Sequence, residues 1–477
     1  MRVLLRAALL AGIVTNTSGC KEEATSDGLS ASSDGLVVVA AATPDVHPAV
    51  ASEADPAVAG LADAVLAPAT DVENQKNSDS AKVAISNKNS YPDQATVSIR
   101  PASFSQNAKE VYVQVALDHA TPNTIVMHVT ATNGTLNSTY FTPVDQVVYF
   151  YPDDVLVKTV RVPILKYKAG GTFKANISYA GGVKATGLSS VNVTAVDNAP
   201  ATVPAPAGRA PIVYSPIGTL QYKMDTSNLK WSAAGGAGVW RSTFTHGRGL
   251  NPGLETGLYM DETAYPSAEK AIQVKDGALV LHTQKLASPV NYAGGNGGYA
   301  AGTYSYGAAV LNGLRMPETQ ITRGTYEWSA KMPDRAGTWP CLWLGGVIGW
   351  PPEIDVFEGM SYISGWNTST TIWSSIHGGP VGKQTFAPGQ KQTSALYGVQ
   401  STTSTFNTYA VTLQKRYITF FVNGKETWQV VNMFDGLGAF YPLMSVGVTA
   451  NNSNAYNTGS GDMAIRAFKV YAKSGDD

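Results

Sequence analysis

From Pro351 to Glu358 the chain reads Pro-Pro-Glu-Ile-Asp-Val-Phe-Glu, with three carboxylates inside an otherwise apolar, strand-forming run. Only 14% of the 477 residues are charged, so like charges at this spacing do not serve stability. Side chains of a strand alternate between its two faces. If Ile354, Val356 and Phe357 are buried, Glu353 and Asp355 share the opposite face. Glu358 lies an odd number of steps from Glu353, and a regular strand would turn it into the core. A one-residue bulge near Val356–Phe357 restores it to the carboxylate side, and bulges re-aim side chains beside active sites. The segment therefore requires a sheet with one core face and one face that gathers carboxylates. Two glutamates leaning over an aspartate is what retaining glycoside hydrolysis needs, with carboxyl groups about 5–5.5 Å apart. The alternative is an exposed acidic face on an ordinary strand.

The flanking sequence resembles glycoside hydrolase family 16, β-jelly-roll endoglycanases that include laminarinases, lichenases, agarases and κ-carrageenases. Glu353, Asp355 and Glu358 stand as the family's bulged Glu-x-Asp-x-x-Glu motif. Gly337-Thr338-Trp339-Pro340-Cys341-Leu342-Trp343-Leu344 is similar to its Gly-x-Trp-Pro-Ala-Phe-Trp-Leu strand, and Arg323–Pro333 to the strand before it. Ile376-His377-Gly378-Gly379 occupies the place of a histidine strand. Phe406–Val411, Ile418–Lys425 and Ile465–Tyr471 resemble the later hairpin and closing strand. The likeness runs from about Val213 to Lys473, in the family's order throughout. It implies an all-β, concanavalin-like jelly-roll sandwich as the catalytic domain.

At this length two or three domains are expected. The sequence divides into 1–19, 20–92, 93–197, 198–211 and 212–475. Residues 1–19 read as a signal peptide, with Arg2 and Arg6 ahead of an apolar stretch and a small-residue cleavage site. Thr17-Ser18-Gly19-Cys20 resembles a bacterial lipobox and would make Cys20 a lipidated first residue, with threonine where leucine is usual; a plain secretory signal is the other reading. Residues 20–92 hold the lipidated cysteine and a tether without aromatic residues up to about residue 90, unable to bury enough surface to offset ordering. In 93–197, short alternating runs such as Val97–Ile99, Val111–Val115, Ile125–Val129, Val147–Phe150, Thr159–Ile164 and Thr172–Ile177 predict a small Ig-like sandwich. It faintly resembles Calx-β domains, but Lys166-Tyr167 stand where that family has a calcium-binding pair. It reads as a spacer in preference to a sugar-binding module, because it lacks tryptophan. Residues 198–211 form a solvated Pro/Ala linker.

Net charge is −1, without basic blocks, which argues against nucleic acid and anionic membrane surfaces as partners. A lipid on Cys20 would be the only membrane attachment, placing the protein at a bacterial cell envelope, on the outer membrane or cell surface, or secreted. A monomer is expected. Neither cofactor nor metal is expected: no cluster has zinc-ligand spacing, and Arg466 stands where many family members carry a calcium-binding aspartate. Cys341 reads as a small core residue, and no disulfide is expected.

All nine tryptophans lie between Trp231 and Trp428. Most are expected in the core, while sugar faces stack on aromatic rings in a cleft. Trp339, Cys341 and Trp343 point to one face of their strand, and Leu342 and Leu344 to the other. The resemblance places Trp343 near the sugar beside the nucleophile. Trp339 and Trp350 are further substrate-binding candidates. His377 is read either as a structural residue or as a hydrogen-bonding partner of carboxylate or substrate. Gly247-Arg248-Gly249-Leu250 through Glu255, Tyr259 and Asp261 resembles the family's Arg-x-Leu-x-x-Asn-x-Glu-x-x-x-Tyr-x-Asp wall, which makes Arg248 and Glu255 substrate-binding candidates. Gly253 takes the asparagine position and Asn251 lies two residues earlier.

These residues predict a retaining endo-hydrolase of β-linked polysaccharide, either β-1,3-glucan or a bacterial exopolysaccharide. Glu353 would be the nucleophile, Glu358 the acid/base and Asp355 the assisting carboxylate. A transglycosylase would use the same carboxylates. An envelope lectin would need neither glutamate.

Overall fold

The computed structural model describes residues 95–475, apart from 153, 180–182, 185–188, 263, 266–269, 361–362, 364–365 and 450–460. The signal peptide, Cys20 and the tether lie outside the described residues. The described chain is built almost wholly of strands joined by turns, with three short 3-10 segments.

Residues 95–195 form a two-sheet sandwich. One sheet runs Val157–Pro163, Glu110–Leu117, Ala95–Ile99, Val183–Lys184. The other runs Ala102–Phe104, Ser190–Ala195, Thr172–Tyr179, Ile125–Asn133, Val144–Phe150. Alternation produces these strands: Val111, Val113 and Val115 are buried, while Tyr112 and Gln114 between them are half-buried. Phe141 stacks on Phe173 at 4.4 Å inside a core that is separate from that of the larger domain. The strands read from sequence are all present and slightly longer. Ser190–Ala195, with its Val-polar-Val alternation, was not among them.

The second domain is a jelly roll of two large sheets. The first has the order Ile272–Lys275, Ala278–His282, Asp462–Ala472, Gly324–Lys331, Asn407–Leu413, Tyr417–Val422, Lys425–Val431, with Thr219–Lys223 also paired to Asp462–Ala472. The second has the order Trp231–Ser232, Trp240–Arg241, Gly302–Asn312, Phe440–Val448, Thr338–Gly346, Glu353–Glu358, Thr371–His377, Gly389–Thr393. Its Gly302–Asn312 strand also pairs with Gly257–Tyr259 and Gln284–Tyr292. Between the sheets lie Trp328, Tyr409, Phe420, Trp428 and Phe468 from one side and Leu342, Leu344, Ile354, Val356 and Met444 from the other. Each large apolar side chain removed from water in this way contributes on the order of 1.5–3 kcal/mol. On the far face of the second sheet, Trp343 packs with Phe244, Tyr259, Val310 and Leu443 in a separate cluster, and Cys341 is partly buried against it.

The small sandwich docks on the jelly roll, which corrects the spacer reading. Lys425–Val431 is the last strand of its sheet, and its outer edge would present unpaired backbone groups. Val431 N–H donates to Pro122 O at 2.8 Å, Thr124 N–H donates to Gln429 O at 2.8 Å, and Gln429 N–H donates to Thr124 Oγ1 at 3.0 Å. The Pro/Ala segment is likewise held, not freely solvated. Tyr112 N–H donates to Thr202 Oγ1, Ala205 N–H to Thr159 Oγ1, and Arg209 N–H to Asp154 Oδ1. The Arg209 guanidinium lies 3.6 Å from the Tyr151 ring centre and donates to both oxygens of Glu426, at 2.7 and 3.0 Å. Prolines without N–H groups leave such a segment few ways to pair with itself, so the neighbouring domains supply its partners.

Candidate active site

Adjacent strands register Glu358 with Cys341, Phe357 with Leu342, and then Asp355 with Trp343, so that Val356 is the extra residue of a bulge. Ile354, Val356 and Phe357 all enter the inter-sheet core. The bulge thus reconciles three buried apolar side chains with Glu353, Asp355 and Glu358 on the opposite face. The next strand sets His377 opposite Glu353 and Ser375 opposite Asp355.

All three carboxylates are buried, at 0%, 2% and 0% exposure in chain order. Polar contacts offset the cost of removing them from water. Trp350 Nε1–H donates to Glu353 Oε2 at 3.0 Å, and Trp339 Nε1–H donates to Glu358 Oε1 at 3.0 Å. Asp355 Oδ2 accepts from Ser375 Oγ at 2.7 Å and lies 3.0 Å from His377 Nε2. The same nitrogen is 3.8 Å from Glu353 Oε1, and His377 Nδ1 is 3.0 Å from Gln384 Oε1. Carboxylates gathered in one dry site cannot all ionise cheaply. That combination offers an attacking carboxylate and a proton donor on one strand.

Glu353, Asp355 and His377 each place one ligand atom within 4.8 Å of the others, making them the group among the described residues able to hold a metal ion. The His377–Asp355 contact is already at hydrogen-bond distance.

Trp339 is 3% exposed, so its ring offers no stacking platform; its indole edge serves Glu358. Trp350 is half-buried beside Glu353. Trp343 is 6% exposed, with Nε1–H donating to Ser445 Oγ at 3.1 Å and its ring 6.3 Å from that of Phe244. Phe244 belongs to the wall that carries Arg248 and Glu255. Arg248, read from sequence as a substrate contact, is 8% exposed; its guanidinium donates to the Tyr259 carbonyl and to Asp261 Oδ2 at 2.9 Å. It braces the wall. Burial pushes the Asp261 carboxyl up, but the Ser242 hydroxyl, the Ala264 N–H and Arg248 outweigh it and hold it below its ordinary value. Glu255 Oε1 accepts from Asn251 Nδ2 at 3.0 Å and Oε2 from Tyr259 OH at 2.8 Å. Burial, then the Glu255 carboxylate, drives the Tyr259 hydroxyl well above its usual value, so it stays a donor. Asn251 has φ 52° and Gly253 φ 92°, and this tight turn lets the earlier asparagine reach Glu255.

Sequence reasoning missed Ser375, Gln384 and Ser445. Ser375 was legible, since alternation places it on the face of His377. Gln384 lies in the irregular chain after the His377 strand and Ser445 on a strand distant in sequence, and neither carries a local signal.

Residues 262–467 match the family model described as glycosyl hydrolases family 16. Endo-1,3-1,4-beta-glycanase EglC of Rhizobium meliloti (strain 1021) is 27% identical over 266 residues, covering 54% of this chain and 52% of that one. Endo-1,3-1,4-beta-glycanase ExsH of the same organism is 26% identical over 251 residues, covering 51% and 49%. The chain thus spans about half the length of the curated relatives it matches. The catalytic domain of an endo-1,3-beta-glucanase (laminarinase) from Thermotoga petrophila RKU-1 aligns with a TM-score of 0.41 at 20% identity, over 55% of this chain and 100% of that domain. The Glu353–Glu358 strand falls within the matched residues, and the jelly roll of this chain is a glycosyl hydrolase family 16 domain.

Proposed function

We propose that this chain is an endo-acting hydrolase that cuts a β-linked polysaccharide with net retention. Glu353 is the nucleophile, Glu358 the acid/base and Asp355 the assisting carboxylate. The observation that carries this reading is the bulge at Val356, which sets all three carboxylates on one face of one strand. In the first step Glu353 bonds to the anomeric carbon while the bond to the leaving oxygen breaks, and that oxygen takes the proton of Glu358. In the second, Glu358 takes a proton from water, whose oxygen displaces Glu353 from the anomeric carbon. Asp355, tied to Ser375 and His377, keeps negative charge beside both glutamates and favours the protonated form of Glu358.

The names of the two relatives point to glycans containing β-1,3 and β-1,4 links, and a β-1,3-glucan or a bacterial exopolysaccharide is the substrate class proposed. Trp350, half-buried at the nucleophile, is the aromatic surface offered to such a chain. The small sandwich serves as a docked structural partner, and a lipid on Cys20 anchors the protein to a bacterial envelope. Cys20→Ser should then move the protein out of the membrane fraction with unchanged specific activity.

Reducing-end release from a panel of β-glucans and exopolysaccharides, with product sizing and NMR of the newly released anomer, tests the activity. Mid-chain products released first as the β-anomer are the expected result. First release of the α-anomer would contradict retention. Products longer than the substrate would indicate transglycosylation, and binding without products a lectin.

A further inference from the structure

The carboxylate face continues past the His377 strand. Gly389–Thr393 pairs with Thr371–His377, which sets Gly389 opposite Ser375 and Lys391 opposite Trp373. Residues directly opposite on neighbouring strands share a face, so the row that starts at Asp355 runs on through Ser375 to Gly389. Gln390 and Gln392 point the other way. Both are buried, and Gln392 Nε2–H donates to the Thr427 carbonyl in the opposite sheet. Lys391, between them, therefore rises on the side that carries Glu353, Asp355 and Glu358.

Two features shape this edge. A Cβ on Gly389 would fall 2.3 Å from Cζ2 of Trp373, so the missing side chain is what lets that buried indole lie against the last strand. The Lys391 ammonium stands 5.0 Å from the ring centre of Trp366, a half-buried residue of the segment that follows Glu358. A cation over an indole face is attracted by the ring and held in place. Lys391 is nevertheless exposed, and it makes no ion pair among the described residues. Strand lysines elsewhere do: Lys158 meets Asp154 at 2.6 Å and Lys469 meets Glu327 at 2.8 Å. Across Glu353–Glu358, Thr371–His377 and Gly389–Thr393 it is the one lysine or arginine. Strands lie about 4.8 Å apart, so it stands about 10 Å across the sheet from the carboxylate strand.

We propose, on the endo-hydrolase reading above, that Lys391 steadied by Trp366 engages an acidic group on a sugar bound beside the cleaved bond, which narrows the substrate class to a β-linked polysaccharide carrying carboxylate or sulfate. An ammonium is a point charge on a flexible stem and lacks the fork geometry of a guanidinium, so either anion satisfies it. The attraction is open to solvent and weakens with salt. Mere surface packing would give the same pair without a ligand, and the molecule supplies the control. Lys331 lies 5.9 Å from the ring centre of Phe406 on the outer face of the opposite sheet, whose inner face buries Trp328 and Ala330.

The experiment assays the full chain on a soluble β-1,3-1,4-glucan and on the same glucan lightly carboxymethylated or lightly sulfated. Parent, Lys391→Gln, Lys391→Arg and Lys331→Gln are compared by the ratio of kcat/KM on modified to neutral glucan. Lys391→Gln should lower that ratio about fivefold, and added salt should shrink the difference. Lys391→Arg should keep the ratio, and Lys331→Gln should leave it at the parent value. A fall with one of the two modified glucans alone names the anion. A ratio that Lys391→Gln does not lower, or that Lys331→Gln lowers as much, would overturn the inference. Retardation of the same four proteins in native gels containing each glucan, relative to gels without it, reads binding without turnover. If the parent cuts none of the glucans, the endo-hydrolase reading fails for them while the gels still decide on Lys391. Retardation by the acidic glucans lost in Lys391→Gln alone upholds the anion site, and equal retardation of all four proteins overturns it.

Discussion

Glutamate is buried both at the junction of the two domains and on the carboxylate strand, in contrasting ways. At the junction of the domains the Glu426 side chain, 1% exposed, receives a bidentate guanidinium from Arg209 and an N–H from Ile212 at 2.6 Å. At the carboxylate strand, Glu353 and Glu358 are as deeply buried, yet their contacts come from two indoles, with a hydroxyl and an imidazole on the intervening Asp355. A guanidinium meets a carboxylate with an opposite charge and two parallel hydrogen bonds. The indoles orient a carboxyl group without bringing a charge to it. Burial alone therefore does not separate a structural glutamate from a reactive one, and the charge of the partners distinguishes Glu426 from the carboxylate strand.

The contrast is broken most severely at the reactive strand. Glu353→Ala should lower the rate on polysaccharide by several orders of magnitude while leaving the thermal midpoint unchanged or raised, because one of three crowded like charges is removed. Kinetics and thermal unfolding on the same preparation check both halves. A large fall in midpoint accompanying the lost activity would mean that Glu353 is structural.

At the junction the expectation reverses. Glu426→Ala leaves Arg209 facing a void and frees Ile212 N–H, at a cost of about 3 kcal/mol of stability with the turnover of the folded protein little altered. Denaturant unfolding followed through the buried tryptophans reads that loss. The same contacts imply that a chain beginning at Ile212 loses both Arg209 and the Pro122–Thr124 cover of its edge strand. It should unfold earlier and self-associate more readily than the full chain.

The smallest effect is at Asp261, where the comparison can be sharpened by pH. Its carboxyl is held below the ordinary value, so its contribution to stability is fully present above the unfolded-state value of about 3.9 and is lost as pH falls through the lower folded value. Asp261→Asn should therefore be less stable than the parent at neutral pH, with the gap closing at pH values below about 3.9. A gap that stays constant to low pH would mean that Arg248 and Ser242 hold the aspartate by shape and not by charge.

Much of this architecture was legible before any coordinates. Alternation marked six strands of the small sandwich, the family resemblance marked the main strands of the jelly roll, and the odd step from Glu353 to Glu358 called for the bulge that the register shows at Val356. The split between Leu342 and Leu344 on one face and Trp343 on the other followed from the same period. What stayed hidden depends on partners distant in sequence. Pro122-Asn123-Thr124 reads as a polar turn, and nothing local to it announces an edge strand some three hundred residues later. Arg209 reads as one cation in a solvated linker until Glu426 is placed beneath it. Arg248 kept its family spacing, yet only the fold shows the Tyr259 carbonyl and Asp261 beneath its guanidinium. Trp339 was read as a sugar platform because sequence gives the face a ring occupies and not the direction of its N–H.

The central claim is that the Val356 bulge presents Glu353 as nucleophile and Glu358 as acid/base. It is tested most directly by azide rescue of Glu353→Ala and Glu358→Ala on a dinitrophenyl β-glycoside, with NMR of the products. With Glu353 removed, azide should enter from the face the carboxylate occupied and give the inverted α-glycosyl azide. With Glu358 removed, the glycosyl-enzyme still forms on Glu353, and azide should release it as the retained β-glycosyl azide. The opposite pairing of anomers would interchange the two roles, and the absence of any glycosyl azide from either variant would contradict a covalent intermediate on this strand.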